Sequence, residues 1–340
     1  MPEDHKPEWI KDVINISRKY HVKKQSILKH NFINIGSLSL LMFLSALVIN
    51  LSFQASNIIE IFFEGVSLGI LLFGLAVLVV HESSHSMFLL SKNTKKQEKL
   101  NLFFGRLLSC IVEADFYDIA WKNNHNIHHA HENETDDPQN YNITIKDLFK
   151  RRILYSLIPG SIFILQKNRK RNLFNIDEGN PYYHSKISKN ELIAKILFLC
   201  FWFLLGIINW ILTKNFSYFF VVLIAWHYLF IINEIKGTLE HGGEHAIEHY
   251  REFRSKTTLF LLRPVFFPFN ISIHFEHHLN MRIPWYLLNK FRKEIAIVIP
   301  DEFKSKIYNH GIKDILAQIN GHNGMVFSRH PNVVSTLSRE

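Results

Sequence analysis

Residues 58–85 read IIEIFFEGVSLGILLFGLAVLVVHESSH. The 23 residues from Ile58 to Val80 carry charge only at Glu60 and Glu64, in the first two turns. They run straight into a histidine pair, His81 and His85. A helix needs roughly 20 apolar residues to cross about 30 Å of hydrocarbon. The stretch therefore predicts a membrane-spanning helix that ends in two imidazoles. Continued past the membrane, the helix puts positions i and i+4 on one face, roughly 6 Å apart at Cβ. Such a pair can hold one metal ion or belong to a metal pair.

Three further stretches have the same character. Phe32–Phe53 is 22 residues without a charge, Ile196–Leu212 is 17 and Phe216–Asn233 is 18. Leu192, Ile193 and Ala194 extend the third. Only Gln54–Asn57 separates the first two stretches, and Thr213–Asn215 the last two. A buried helix of a soluble protein would explain one of them. Four in two close pairs predict two spanning hairpins, because backbone in lipid must satisfy its own hydrogen bonds.

The chain has 340 residues, of which 39 are Lys or Arg, 30 Asp or Glu and 20 His, for a net charge of +9. At 47 % hydrophobic it is too apolar for disorder. The mean hydropathy of +0.02 averages uncharged stretches with basic ones. Cys110 and Cys200 allow one disulfide at most, which excludes a disulfide-stapled scaffold. The polar first 31 residues predict no cleavable signal peptide. Lys plus Arg number 7 in residues 1–31, 16 in 81–191 and 14 in 236–340. The two short turns hold only Lys214, and Lys195 sits at the edge of the third span. The positive-inside rule then places both termini and the middle segment in the cytoplasm. No nucleic-acid recognition motif accompanies the basic residues, so they read as contact with anionic headgroups.

The expected fold is an all-α integral membrane protein. Residues 1–31 form a cytoplasmic segment and 32–80 the first hairpin. Residues 81–191 form a cytoplasmic helical cap. The second hairpin is 192–235, more cap follows in 236–300, and 301–340 is a small soluble tail. Ile153–Leu165, interrupted by Pro159 and Gly160 and basic at both ends, is too short to span and is expected in the interface. Thr258–Ile271, with Arg263, Pro264 and Pro268, is expected in the interface or packed on the protein.

Histidine recurs in a pattern. HESSH at 81–85 is followed by HNIHH at 125–129, with His131 beyond it, and by HFEHH at 274–278. A looser group is Glu240-His241-Gly242-Gly243-Glu244-His245. On a helix the i, i+3, i+4 spacing of the last two boxes puts three imidazoles on one face. Two helix crossings separate the third box from the first two, so all three fall on one side of the membrane. Imidazole suits iron, zinc, copper and nickel. Eight or nine rings exceed what one ion uses, since zinc takes four ligands. Two metal ions are the economical reading.

From about Phe73 to Trp285 the sequence resembles the integral-membrane fatty acid desaturase family with its three histidine boxes. Asp136-Asp137-Pro138 and the IPWY run at 283–286 resemble the family's flanking sequence. The resemblance implies two non-haem irons, dioxygen as co-substrate and removal of hydrogens from an unactivated lipid or acyl chain. It implies His81, His85, His125, His128, His129, His274, His277 and His278 as metal ligands. It also implies a ligand before the third box. His241 matches that position best, with His245 as an alternative or additional ligand. Ligating histidines usually need an acceptor on the other ring nitrogen. Available carboxylates are Glu82, Glu113, Asp115, Asp118, Asp136, Asp137, Glu244, Glu248 and Glu276; Glu276, inside the third box, is the preferred one. No dinucleotide fingerprint or fused haem segment is present, so a separate ferredoxin or cytochrome donor is expected.

Three rivals are open at this point. HESSH also satisfies the H-E-x-x-H motif of zinc proteases, with Glu82 as base. That reading leaves both HxxHH boxes idle. A histidine-rich metal carrier would place its ligands inside the spans, where few of these lie. A lipid hydroxylase or ketolase would use the same ligands as a desaturase.

Overall fold

The computed structural model describes residues 8–113, 116–134, 137–139, 158, 189–242 and 254–321. Helix α1 (Glu8–Arg18) is short and amphipathic, with Ile10 and Val13 buried. Helices α2 (Ile27–Ser52) and α3 (Ile58–Leu75) follow. Asn57 starts α3 by accepting hydrogen bonds from the Ile59 and Glu60 amides, which would otherwise be orphaned at the helix end. Past Leu75, α3 widens into a π-helical stretch, Ala76–His81, and closes with one α turn, Glu82–Ser84. Helix α4 (Thr94–Val112) is capped by Asn93 in the same way. A second π-helical stretch, Asp118–Asn123, leads into α5 (Asn124–Ala130). Next come the long helices α6 (Lys189–Thr213) and α7 (Ser217–His241).

The remaining described elements are short. They include β1 (Thr257–Leu259), α8 (His274–Leu279), α9 (Trp285–Val298), α10 (Asp301–Ile307), β2 (Tyr308–His310) and α11 (Ile312–Gly321), with helical turns at Arg263–Phe266 and Pro268–Asn270 before α8. The two strands pair in parallel, Thr257 opposite Tyr308 and Leu259 opposite His310.

Four helical stretches, around α2, α3, α6 and α7, are long and apolar enough to cross a membrane. Their helices outrun the apolar stretches: α7 continues to His241, so Lys236 and Glu240 ride on the same helix. Hydrogen bonding along a helix does not stop where hydrocarbon does. Burial separates the four. The spanning stretch of α3 is 67 % buried, against 11 % for α2, 22 % for α6 and 39 % for α7. The first is thus the central helix, and α2 and α6 turn large apolar side chains such as Phe43 and Leu204 outward. Gly65 and Gly69 let α3 and α7 approach closely. A Cβ on Gly65 would lie 2.6 Å from Ile224 Cβ, and one on Gly69 2.8 Å from Tyr228 Cβ. Small residues four apart are a common way for membrane helices to meet.

The two short turns touch. Asn215 Nδ2 donates to the Ala55 carbonyl at 3.0 Å and Ser217 Oγ to the same oxygen at 2.7 Å. With those ends joined, α3 and α7 both deliver their histidines at the opposite end of the bundle. There a second core forms from α1, α8, α9 and the α10–β2 segment: Ile10, Val13, Phe275, Phe291, Ile307 and Tyr308 pack together. Residues 301–310, the start of the stretch expected as a small soluble tail, are built into the histidine-bearing layer. Three-residue strands leave no periodic signal to read. Of the two placements expected for Thr258–Ile271, packing on the protein is seen in part. Phe267 and Ile271 pack against Phe73, Val77 and Ile232, while Leu261, at 92 % exposure, and Leu262 point outward. Ile153–Leu165 lies outside the described residues, apart from an exposed Ile158.

Candidate metal centre

The three boxes and the end of α7 converge. His81, His85, His125, His129 and His277 bring one ring nitrogen each into a group within 4.8 Å of one another. His128, His241 and His278 form a second such group, and His274 joins it through His241, their Nε2 atoms 2.7 Å apart. The clusters adjoin: the His129 and His278 rings stack with centroids 4.0 Å apart. Each HxxHH box is split. His125 and His129 face the five-ring cluster and His128 the four-ring one. In the third box His277 goes to the first, and His274 and His278 to the second. The three imidazoles of a box thus do not point one way. Positions i+3 and i+4 lie about 100° apart around a helix, and a centre wedged against the helix takes one on each side.

Local structure fixes these rings. The π-helical stretches end at the first box and directly before the second, and such wide turns recur at functional sites. Asn126, inside the second box, donates to the Ser84 carbonyl inside the first at 3.1 Å. Asn133 adopts a left-handed φ of 54° just past the second box and donates to the His241 carbonyl at 3.1 Å. Buried Arg254 holds the same turn through the Glu132 carbonyl and the Glu134 carboxylate, each at 3.0 Å.

Outer ring nitrogens meet acceptors unevenly. His128 Nδ1 donates to Asp137 at 2.9 Å, and His241 Nδ1 to Glu132 at 3.0 Å. The other Glu132 oxygen lies 2.9 Å from His278 Nδ1, and Glu240 lies 3.4 Å from His274 Nδ1. In the five-ring cluster His125 Nδ1 meets the neutral amide of Gln139 at 3.0 Å. His81 Nδ1 has Glu82 at 3.5 Å, beyond hydrogen-bonding reach.

Glu276 differs from expectation. Among the described residues it makes no contact with an imidazole; its carboxylate accepts from the Thr257 and Tyr308 hydroxyls and so ties the third box to both strands. Asp118 pairs with Arg106 on the surface, and His131 with Glu134. Asp115, Asp136, Glu244, His245 and Glu248 lie outside the described residues. Sequence reasoning omitted Glu132, whose only signal is its place one turn after the second box.

Burial, and after it the neighbouring rings, holds His85, His129, His277 and His278 well below the usual histidine range; His125 falls to about 3. His128 goes the other way. Burial opposes its charge, but the Asp137 carboxylate outweighs that and raises it. Most of the rings are thus neutral at ordinary pH, with a lone pair to offer. Among the described residues, both nitrogens of His81, His85 and His278, and Nε2 of His277, are buried with no hydrogen-bond partner. Each such atom costs about 1–3 kcal/mol. So many orphaned nitrogens in one place fit a site whose missing partner is a cation.

Taken together, the fold is that of a predominantly helical integral membrane protein with a buried, histidine-rich centre at one end of its bundle. The fatty acid desaturase family model matches residues 60–305, and the chain belongs to that family. No curated protein matches it significantly. It is a membrane oxidoreductase of the desaturase and hydroxylase type, with a lipid substrate. Family and ring clusters together imply a metal cofactor.

Proposed function

We propose that the protein is a di-iron, dioxygen-dependent desaturase of a fatty acyl or related lipid chain. The observation that carries this reading is the meeting of nine imidazoles as two adjoining buried clusters. In it His81, His85, His125, His129 and His277 hold one iron, and His128, His241, His274 and His278 the other. Bound iron would supply the dioxygen chemistry that removes hydrogen from an unactivated methylene, which no side chain here can do. The chain's own groups orient and insulate. Asp137 and Glu132 accept the Nδ1 protons of His128 and His241, leaving Nε2 of each ring free as a donor. Phe88, Phe275 and Ile273, buried beside the boxes, help exclude water. His245 is kept as a candidate additional ligand.

The proposed topology is two hairpins, 32–80 and 192–235. Residues 1–31, 81–191 and 236–300 form the cytoplasmic side. Contact between the two short turns at Ala55 and Asn215 supports it. Electrons would come from a separate ferredoxin or cytochrome.

Lipid mass spectrometry of cells expressing the wild type and His277→Ala tests the function. A product lighter by two hydrogens, made only by the wild type, is expected. A product heavier by one oxygen would favour the hydroxylase or ketolase reading. No change, with an active electron donor present, would end both. Purified protein should hold about two irons per chain, and a single zinc would contradict the metal assignment.

A further inference from the structure

The two clusters differ in what stands behind them. In the four-ring cluster every ring has a carboxylate near its Nδ1: Asp137 at 2.9 Å from His128, Glu132 at 3.0 Å from His241 and 2.9 Å from His278, and Glu240 at 3.4 Å from His274. Glu240 also meets Lys236 Nζ at 2.6 Å, which offsets much of its charge. Asp137 and Glu132 therefore carry the difference, Glu132 accepting from His241 with its other oxygen close to His278. Among the described residues, the five-ring cluster has the neutral Gln139 at 3.0 Å from His125 and one carboxylate, Glu82, 3.5 Å from His81.

A ring that gives its outer proton to a carboxylate is a stronger donor at its inner nitrogen. The carboxylate's own charge, in a buried setting, also favours the more positive of two ions. We infer that the two metal positions are chemically unequal: the four-ring cluster holds the ion of higher charge, and Glu132 sets much of the difference. This rests on the di-iron reading. Glu132 and Asp137 act through the rings they touch, as positioning residues.

The test uses the full chain in detergent, loaded with iron and half reduced, and reads the ferric share of each site by Mössbauer spectroscopy. His241→Ala identifies which signal belongs to the four-ring cluster. In the wild type the ferric iron is expected there. Glu132→Gln should weaken that preference about 10- to 100-fold, the usual effect of losing an outer acceptor. Gln139→Glu gives the other cluster a carboxylate of the same shape and should narrow the preference from the opposite side. Gln139→Glu acts on His125 without touching Glu132, so it tests the outer-carboxylate argument even if Glu132→Gln does not fold; an unchanged preference in that variant overturns the inference. Ferric iron shared equally, or held by the five-ring cluster, overturns the inference alone. Wild-type protein that takes up no iron overturns the di-iron reading and the inference together.

Discussion

His128 and His129 are neighbours in sequence, yet the first meets His241 at 3.3 Å and the second meets His125 at 3.2 Å. Truncating either should empty one metal position and leave the other. Elemental analysis of His128→Ala or His129→Ala should thus find about one iron per chain instead of about two. The pair His128→Ala with His241→Ala should lose no more than the single variant, because both serve one position. Complete loss in that pair would contradict the partition. Tyr308 works at longer range. Its hydroxyl donates to buried Glu276 at 2.9 Å, next to His277. Tyr308→Phe leaves that carboxylate short of a donor and should cost about 1–3 kcal/mol. Thermal unfolding would show it, with iron content near the wild-type value.

Among the elements, α3 carries the closest packing. Gly65 and Gly69 face Ile224 and Tyr228 at distances no Cβ tolerates, and the obstructing atoms lie near the α7 backbone. Gly69→Ala should push the helices apart and cost about 1–3 kcal/mol. Gly36 makes a contrast within α2: a Cβ there meets nothing within 4 Å. Gly36→Ala should stabilise by up to about 1 kcal/mol through helix propensity. Melting temperatures in one detergent compare the two, and equal effects would contradict the packing argument. The π-helical stretches before the first two boxes belong to this scale as well. No residue type announces them, since they arise where packing demands a wider turn than the local sequence prefers.

For the whole molecule, joined turns at one end and joined histidines at the other make a directional bundle. With Cys110 and Cys200 replaced by serine, single cysteines at Ser56 and Lys214 should label from the same side, opposite the histidine boxes. A reagent confined to the cytoplasmic side should reach neither. Labelling of one turn from each side would break the two-hairpin topology. The same architecture explains why residues 301–310 fold with the centre: Ile307 and Tyr308 complete a core that α1, α8 and α9 leave open.

Much of this is legible in the sequence alone. Span length and hydropathy mark the four long helices, because crossing hydrocarbon is a one-dimensional requirement. The spacing of HESSH, HNIHH and HFEHH marks the imidazoles, because ligands on one helix must recur at helical intervals. Tertiary structure alone divided each HxxHH box between two clusters while keeping His81 and His85 together. It moved Glu276 from the rings to the strands, and it brought Glu132 from a turn to sit behind His241 and His278. Those outcomes depend on how α5, α7 and α8 are set against one another. Spacing along one helix carries no information about where a partner helix stands.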